Sequence, residues 1–348
     1  MAGNILNVAS FRLLLDGSEL PTDLFLAVNG VTVEDELNLP AMFTIRFNTV
    51  DFLKGDWRGI DLKTFKVGDI VKISMGIDSS FEMMIGEVTS LDFTFGDSCF
   101  MEIRGYDRLH RLRFGTMRRS FKDMKDSDIA SSIASETSLT PKVDDTGTIH
   151  PYIFQNNQSN YEFLLERAKR IGYEMLVDDK TLIFRKSQED KSPELTLEYG
   201  VDLESFSAQI KTLTEGSKVE VRGWNVKDKE EISSSASKGS ETTKMGKESG
   251  YEISEKAFSA SSVSVVDDMI IDSKDAENIA KAKYNQMLGE FLTGEGSCIG
   301  NPEIRAGKTI EIKGIGERLS GVYYVESTVH SISRGVYTTN FKVRRTGV

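Results

Sequence analysis

Cysteine is nearly missing from this chain. Cys99 and Cys298 stand far apart, and neither has a partner at metal-ligand spacing, which excludes a disulfide framework and a zinc module. Free thiols fit a reducing compartment, so the chain is expected to be made and assembled in a cytoplasm. Histidine is equally scarce: His110, His150 and His330 lie in separate stretches, without the cysteine or carboxylate companions that a metal site needs. Basic charge is in deficit, with 43 Lys and Arg against 54 Asp and Glu and a net charge of −11. A nucleic-acid binder would carry the opposite balance, so no sequence-specific nucleic-acid partner is expected. The first ten residues have neither a basic segment nor an apolar run, and no stretch reaches a membrane-spanning length, so neither a secretory signal nor stable membrane insertion is expected.

Catalytic patterns are lacking as well. There is no G-x-S-x-G, no Walker A stretch and no G-x-G-x-x-G, and Gly294-Glu295-Gly296 reads as a turn closing a helix. The acidic pairs Asp144-Asp145 and Asp267-Asp268 sit in polar surroundings that would not raise one pKa of the pair. Trp57 and Trp224 read as core or interface anchors. These residues name no catalytic group, no cofactor and no metal, and the chain is read as a non-enzyme.

What the chain has in plenty is alternation. Phe43, Ile45 and Phe47 alternate with Thr44, Arg46 and Asn48; Val71, Ile73 and Met75 do so with Lys72, Ser74 and Gly76. Period-two patterning of this kind makes strands with one buried and one wet face. Between residues 115 and 186 the texture is mixed. A helix is expected from Ile129, Ala130, Ile133 and Ala134. A second opens on Ser159-Asn160-Tyr161-Glu162 as a capping box and stops at Gly172. A hairpin follows across Asp178-Asp179-Lys180. After residue 195 strands return, interrupted by a stretch rich in Ser, Lys and Glu (227–262) and by a helix capped at Ser273 that buries Ala280, Tyr284, Met287, Leu288 and Phe291. The expected fold is mainly β with α+β: two related antiparallel β-barrel domains, 1–114 and 191–348, flank a small α/β middle domain, 115–190. A flexible insertion occupies 227–272 of the second barrel.

The two barrels are related by an internal echo. Val67-Gly68-Asp69 matches Ala306-Gly307-Lys308, Val88-Thr89-Ser90-Leu91 matches Val329-His330-Ser331-Ile332, and Met101-Glu102-Ile103-Arg104 matches Phe341-Lys342-Val343-Arg344, at offsets of 239, 241 and 240 residues.

Between the first strands and the middle helix runs a connector with Arg104, Arg108, Arg111, Arg113, Arg118 and Arg119, interrupted only by Asp107. A lone charge run is usually a solvated linker. In a net-acidic chain, arginines that fork onto carboxylates of a neighbour are the sharper reading, and Arg104, Arg108, Arg111 and Arg113 are the candidate interface residues.

The same stretch, G-Y-D-R-L-H-R-L-R followed by S-F-K-D-M-K-D-S-D-I-A-S-S-I-A, resembles the phage late control D / VgrG-type baseplate hub family, as does Q-N-N-Q-S-N-Y-E-F-L-L-E-R-A-K-R-I-G-Y-E-M at 155–175. The likeness is to a T4-type central hub without a fused spike. It implies a homotrimer in the baseplate of a contractile phage tail or phage-like injection particle, adapting a hexameric tail tube to a trimeric spike. Implied partners are further copies of the chain, the tail tube protein, a separate spike protein and baseplate wedge proteins. A tail-associated cell-wall hydrolase is the alternative; it would need a carboxylate pair in a cleft.

Overall fold

The computed structural model describes residues 9–51, 56–57, 64–97, 99–213, 216–225, 229–259, 261–266 and 269–348; Asp267 and Asp268 lie outside them. The first third is strands: β1 (Ala9–Leu15), β2 (Ser18–Glu19), β3 (Val28–Glu36), β4 (Met42–Asn48), β5 (Val50–Asp51), β6 (Asp56–Trp57), β7 (Ile70–Ile77), β8 (Phe81–Thr94) and β9 (Phe100–Tyr106), with the short helix α1 (Thr22–Ala27) between β2 and β3. The alternation works as expected in β4, where Phe43, Ile45 and Phe47 are buried and the residues between them half-exposed.

A 3-10 turn at Arg108–Arg113 leads to β10 (Met117–Met124), α2 (Asp126–Glu136), β11 (Thr140–Val143), β12 (His150–Gln158), α3 (Asn160–Ile171), β13 (Tyr173–Asp178) and β14 (Thr181–Lys186). The capping box is formed: Ser159 Oγ accepts from the Glu162 amide at 3.1 Å and Glu162 accepts from the Ser159 amide at 2.8 Å. Gly172 ends α3 in the left-handed region at φ 68°, where a glycine costs nothing. These elements pack around one apolar core that includes Ile129, Ile133, Leu164, Met175 and Phe184.

The last part holds β15 (Leu195–Glu198), β16 (Leu203–Ile210), β17 (Lys218–Asn225), β18 (Glu230–Ala236), α4 (Gly250–Phe258), β19 (Ser262–Val265), α5 (Ser273–Gly289), β20 (Leu292–Ile299), β21 (Thr309–Lys313), β22 (Gly321–Ser333) and β23 (Val336–Arg345). Two local expectations shift here. Asp272 rather than Ser273 caps α5, accepting from the Asp275 amide at 2.7 Å. The helix closes at Gly289, while Gly294 and Gly296 lie inside β20, where a Cβ would strike the rings of Phe206 and Phe341. The polar stretch expected as a flexible insertion carries β18, α4 and β19. Tyr251 of α4 stacks on Tyr284 of α5 with centroids 4.3 Å apart, in a core with Val219, Val221 and Ile232.

The strands of the two expected barrels do not close on themselves. Most of them join one open 13-stranded sheet in the order β16-β20-β23-β22-β3-β4-β9-β8-β7-β1-β2, with β21 on β22 and β15 on β21, while β18-β17-β19 and β5-β6 form separate small sheets. Among the described residues no sheet closes into a barrel. The edge of β3 is paired instead with β22, Glu36 to Gly30 against Ser327 to Ser333. Ile332 and Tyr337 accordingly pack in the core of the first strands.

The internal echo is real in the topology. Six strands run β1-β7-β8-β9-β4-β3 in the first half and β15-β21-β22-β23-β20-β16 in the second. Gly68 and Gly307 both have positive φ. Gly68 donates to Val88 O at 2.8 Å and Val88 to Asp69 O at 2.9 Å; Gly307 donates to Val325 O and Val325 to Lys308 O, each at 2.9 Å. A bulge follows Val88 and Val325 alike, and another follows Val28 in β3 and Leu203 in β16. The echo drawn from sequence was therefore slipped: Val88 matches Val325, four residues before Val329, and the pairing of β9 and β23 puts Met101 against Thr339, two before Phe341. Slips of two or four residues keep every side chain on its face and leave no trace in an alternating pattern. The halves differ in one direction: β1 is antiparallel to β7, whereas β15 is parallel to β21.

Candidate functional site

The four candidate interface arginines of the connector divide into two pairs. Arg108 and Arg111 converge on one carboxylate, Glu87 of β8: Arg111 Nε donates to Oε2 at 2.9 Å and Arg108 Nε lies 3.3 Å from Oε1. The other end of the Arg108 guanidinium reaches Asp179 in the β13–β14 turn. Only 4% of Arg108 is exposed, so its contacts are strongly felt and their loss would leave a buried charge. The turn that carries them is set by Asp107, whose carboxylate accepts from Leu109 N at 2.8 Å and Ala41 N at 3.0 Å. Burial pushes the Asp107 carboxyl up to about 7, against the pull of those two amides. Together these contacts lock the first sheet half to the middle α/β part.

Arg104 and Arg113 stay at the surface. Arg104 Nε donates to Glu102 at 2.8 Å and lies 3.8 Å from Asp92. The Arg113 guanidinium stacks over Tyr161 at 4.5 Å. Arg119 binds Gln155 and Asn160 at 2.9 and 3.0 Å, and Arg118 lies over Phe154 at 6.0 Å. Trp224 is an exposed ring, 58% accessible, not a core anchor.

Three buried polar clusters have no sequence signature. In the first, Asp126 accepts from Arg167 Nε at 2.6 Å and lies 3.2 Å from His150 Nε2. Burial pushes its carboxyl up, but the hydrogen bonds from His150 and Arg167 and the arginine charge outweigh it and leave the pKa lowered. In the second, Arg170 of α3 forks onto Asp275 of α5 at 2.7 Å on both oxygens. In the third, Arg344 meets Glu189 and Glu326 beside the Tyr324–Glu174 hydrogen bond of 2.6 Å. The last borders a cleft of about 940 Å³ that also exposes Asp144, Asp145, Lys186 and Lys274. The Lys125 ammonium, 2.8 Å from Asp145, holds that carboxyl below its usual range. Among the described residues no three His, Cys, Asp or Glu converge as a metal site, and no helix is long and apolar enough to cross a membrane.

The fold is that of phage tail proteins. The 43 kDa tail protein of prophage MuSo2 from Shewanella oneidensis superposes with a TM-score of 0.73 over 97% of this chain and 98% of its own, at 12% identity. A tail protein from Neisseria meningitidis MC58 gives 0.70 over 97% of both chains, also at 12% identity. The E. coli c3393 protein gives 0.62 over 97% of this chain and 77% of its own, at 11% identity; it is described as a component of the type VI secretion system with structural similarity to T4 bacteriophage tail proteins gp27 and gp5. By sequence, the family model of the Alg8 N-terminal domain matches residues 6–334, and the chain belongs to that family. This is not the family that the central motifs resemble. No curated protein matches the sequence.

Proposed function

We propose that the chain is a structural hub of the late control D / VgrG type in the baseplate of a contractile tail or phage-like injection particle. It acts as a homotrimer that adapts a hexameric tail tube to a trimeric spike. The observation that carries this reading is the duplicated six-strand order, bulges included, inside a tail-protein fold. A chain with two like halves presents two like surfaces, and three chains present six. Its partners are further copies of itself, the tail tube protein, a separate spike protein and baseplate wedge proteins, and its place is the virion tail or particle baseplate. The working domain boundaries are 1–114, 115–190 and 191–348. Arg104 and Arg113, exposed on the surface, are the connector arginines placed to meet a neighbouring chain; Arg108 and Arg111 support the joint behind them. The chain is non-enzymatic in this role.

Immunogold labelling of particles from the host tests the assignment. Gold at one end of the tube is expected. Gold along the shaft, or particles without the protein, contradicts the hub role.

A further inference from the structure

The two halves of the sheet are joined by β3 lying along the second stretch of β22, where β21 has ended. The duplication supplies the same two edges a second time. The counterpart of β22 is β8, which pairs with β7 only up to Glu87 and from Val88 to Thr94 has β9 on one side. The counterpart of β3 is β16, which has β20 on one side. Among the described residues neither β8 beyond Glu87 nor β16 from Ser205 to Ile210 has a strand on its other side. These strands sit far apart in the strand order of one sheet.

We infer that β8 of one copy pairs antiparallel with β16 of the next, repeating the β3–β22 joint between chains. This deepens the hub reading and rests on it for the number of chains. Carrying the bulges and ladder partners across fixes the register: Leu91 opposite Ile210, Asp92 opposite Gln209, Phe93 opposite Ala208, Thr94 opposite Ser207, and Phe95 opposite Phe206.

The side chains support that register. In the β3–β22 joint the inward positions are Val31 with Ile332, Val33 with His330 and Asp35 with Thr328, all buried. Their counterparts at the open edges are Phe206 with Phe95, Ala208 with Phe93 and Ile210 with Leu91, all apolar. Yet Phe93, Phe95 and Ile210 are 38%, 65% and 36% exposed in the single chain. A long edge strand with an apolar face is a liability in a monomer and is explained by a partner strand. The outward positions match too: Ser90, Asp92 and Thr94 come opposite Lys211, Gln209 and Ser207, polar against polar. The contact is head-to-tail, the kind that closes into a ring.

Cysteine cross-linking of the full chain tests the pairing. In a Cys99→Ser background, Asp92→Cys with Gln209→Cys and Thr94→Cys with Ser207→Cys place thiols directly opposite on the wet face. Both pairs lie on one face and so share one spacing; the Leu37 N–Glu326 O bond of the β3–β22 joint puts their counterparts, Glu34 with Val329 and Thr32 with Ser331, at the non-hydrogen-bonded positions, the closer spacing that a disulfide accepts. The offset pair Asp92→Cys with Ser207→Cys is the control. All four positions are exposed, so folding is spared. Mass is measured in parallel by light scattering. Trimers whose chains link covalently in at least one in-register variant, and not in the offset control, are the expected result. Trimers that do not link, or that link equally in the offset control, overturn the edge pairing and leave the hub reading standing. Linked rings of another chain number keep the joint and contradict the hub. A monomer overturns both.

Discussion

At the scale of single residues, Ser159 and Glu162 exchange hydrogen bonds within one turn of α3, and Gly172 closes that helix in the left-handed region. The Ser159–Glu162 box and the Gly172 stop depend on neighbours within one or two turns, and both are present. The Asp126–His150–Arg167 cluster joins residues 24 and 41 positions apart, and no spacing rule reaches across that distance. Glu87, the carboxylate that receives Arg108 and Arg111, lies in an ordinary strand pattern that gives no sign of them. His330 is another residue whose setting only the fold reveals. Its Nε2 donates to Ile304 O at 2.9 Å, which leaves the Nδ1 lone pair to accept from one of the hydroxyls of Tyr337 and Thr339, which lie 3.0 and 3.1 Å away. Burial first, then the nearby Arg305 charge, lower its pKa to about 4; Asp35 pulls weakly the other way. A proton that the unfolded chain binds near pH 6.5 is thus refused by the folded one. The contribution is whole above that value and is lost as pH falls toward 4. Between pH 7.5 and 4.5 it removes roughly 2–3 kcal/mol. The buried Asp107 titrates with the opposite sign, since the folded chain keeps its proton up to about pH 7. Hence the measurement is a difference: urea unfolding of wild type and His330→Gln at both pH values. The wild type should lose that much more stability than the variant, and equal losses would refute the role of His330.

At the scale of elements, strands were legible because burial on one face imposes the period of two, and α3 because its cap and stripe agree. Register was not, since a slip of two is silent; only the Gly68–Val88 and Gly307–Val325 hydrogen bonds fix it. The polar stretch at 227–272 misled because its core is borrowed. A few apolar residues suffice there, Ile232, Ala236, Met245 and Tyr251, since α5 and β17 supply the rest. Tyr251 should be the keystone, buried between α4 and α5 with its hydroxyl donating to Tyr284 O at 2.9 Å. Tyr251→Ala should cost about 3–5 kcal/mol, as for other large aromatics cut from a core. Limited proteolysis reads this directly: residues 229–259 should resist cleavage in the wild type and become the first site cut in the variant. Equal cleavage of both chains would show that the segment is not held by this core.

At the scale of the whole molecule, composition and patterning gave a mainly β chain, and the echo gave its duplication. What they could not give is where two halves meet, because an edge is defined by the strand that does or does not lie beside it. Barrels were the natural expectation for strands that must hide their edges. The chain instead spends the β3 edge on β22 and, among the described residues, leaves one side of β8 beyond Glu87 and of β16 without a strand, the edges that the proposed pairing between copies would cover. An obligate assembly of this kind buries more than about 2,000 Å² at each contact. The direct measurement is the mass of the purified chain by light scattering across a dilution series. The account predicts a species of three times the 38.8 kDa chain mass that persists on dilution; a chain that stays monomeric, or settles as a stable dimer, would contradict it.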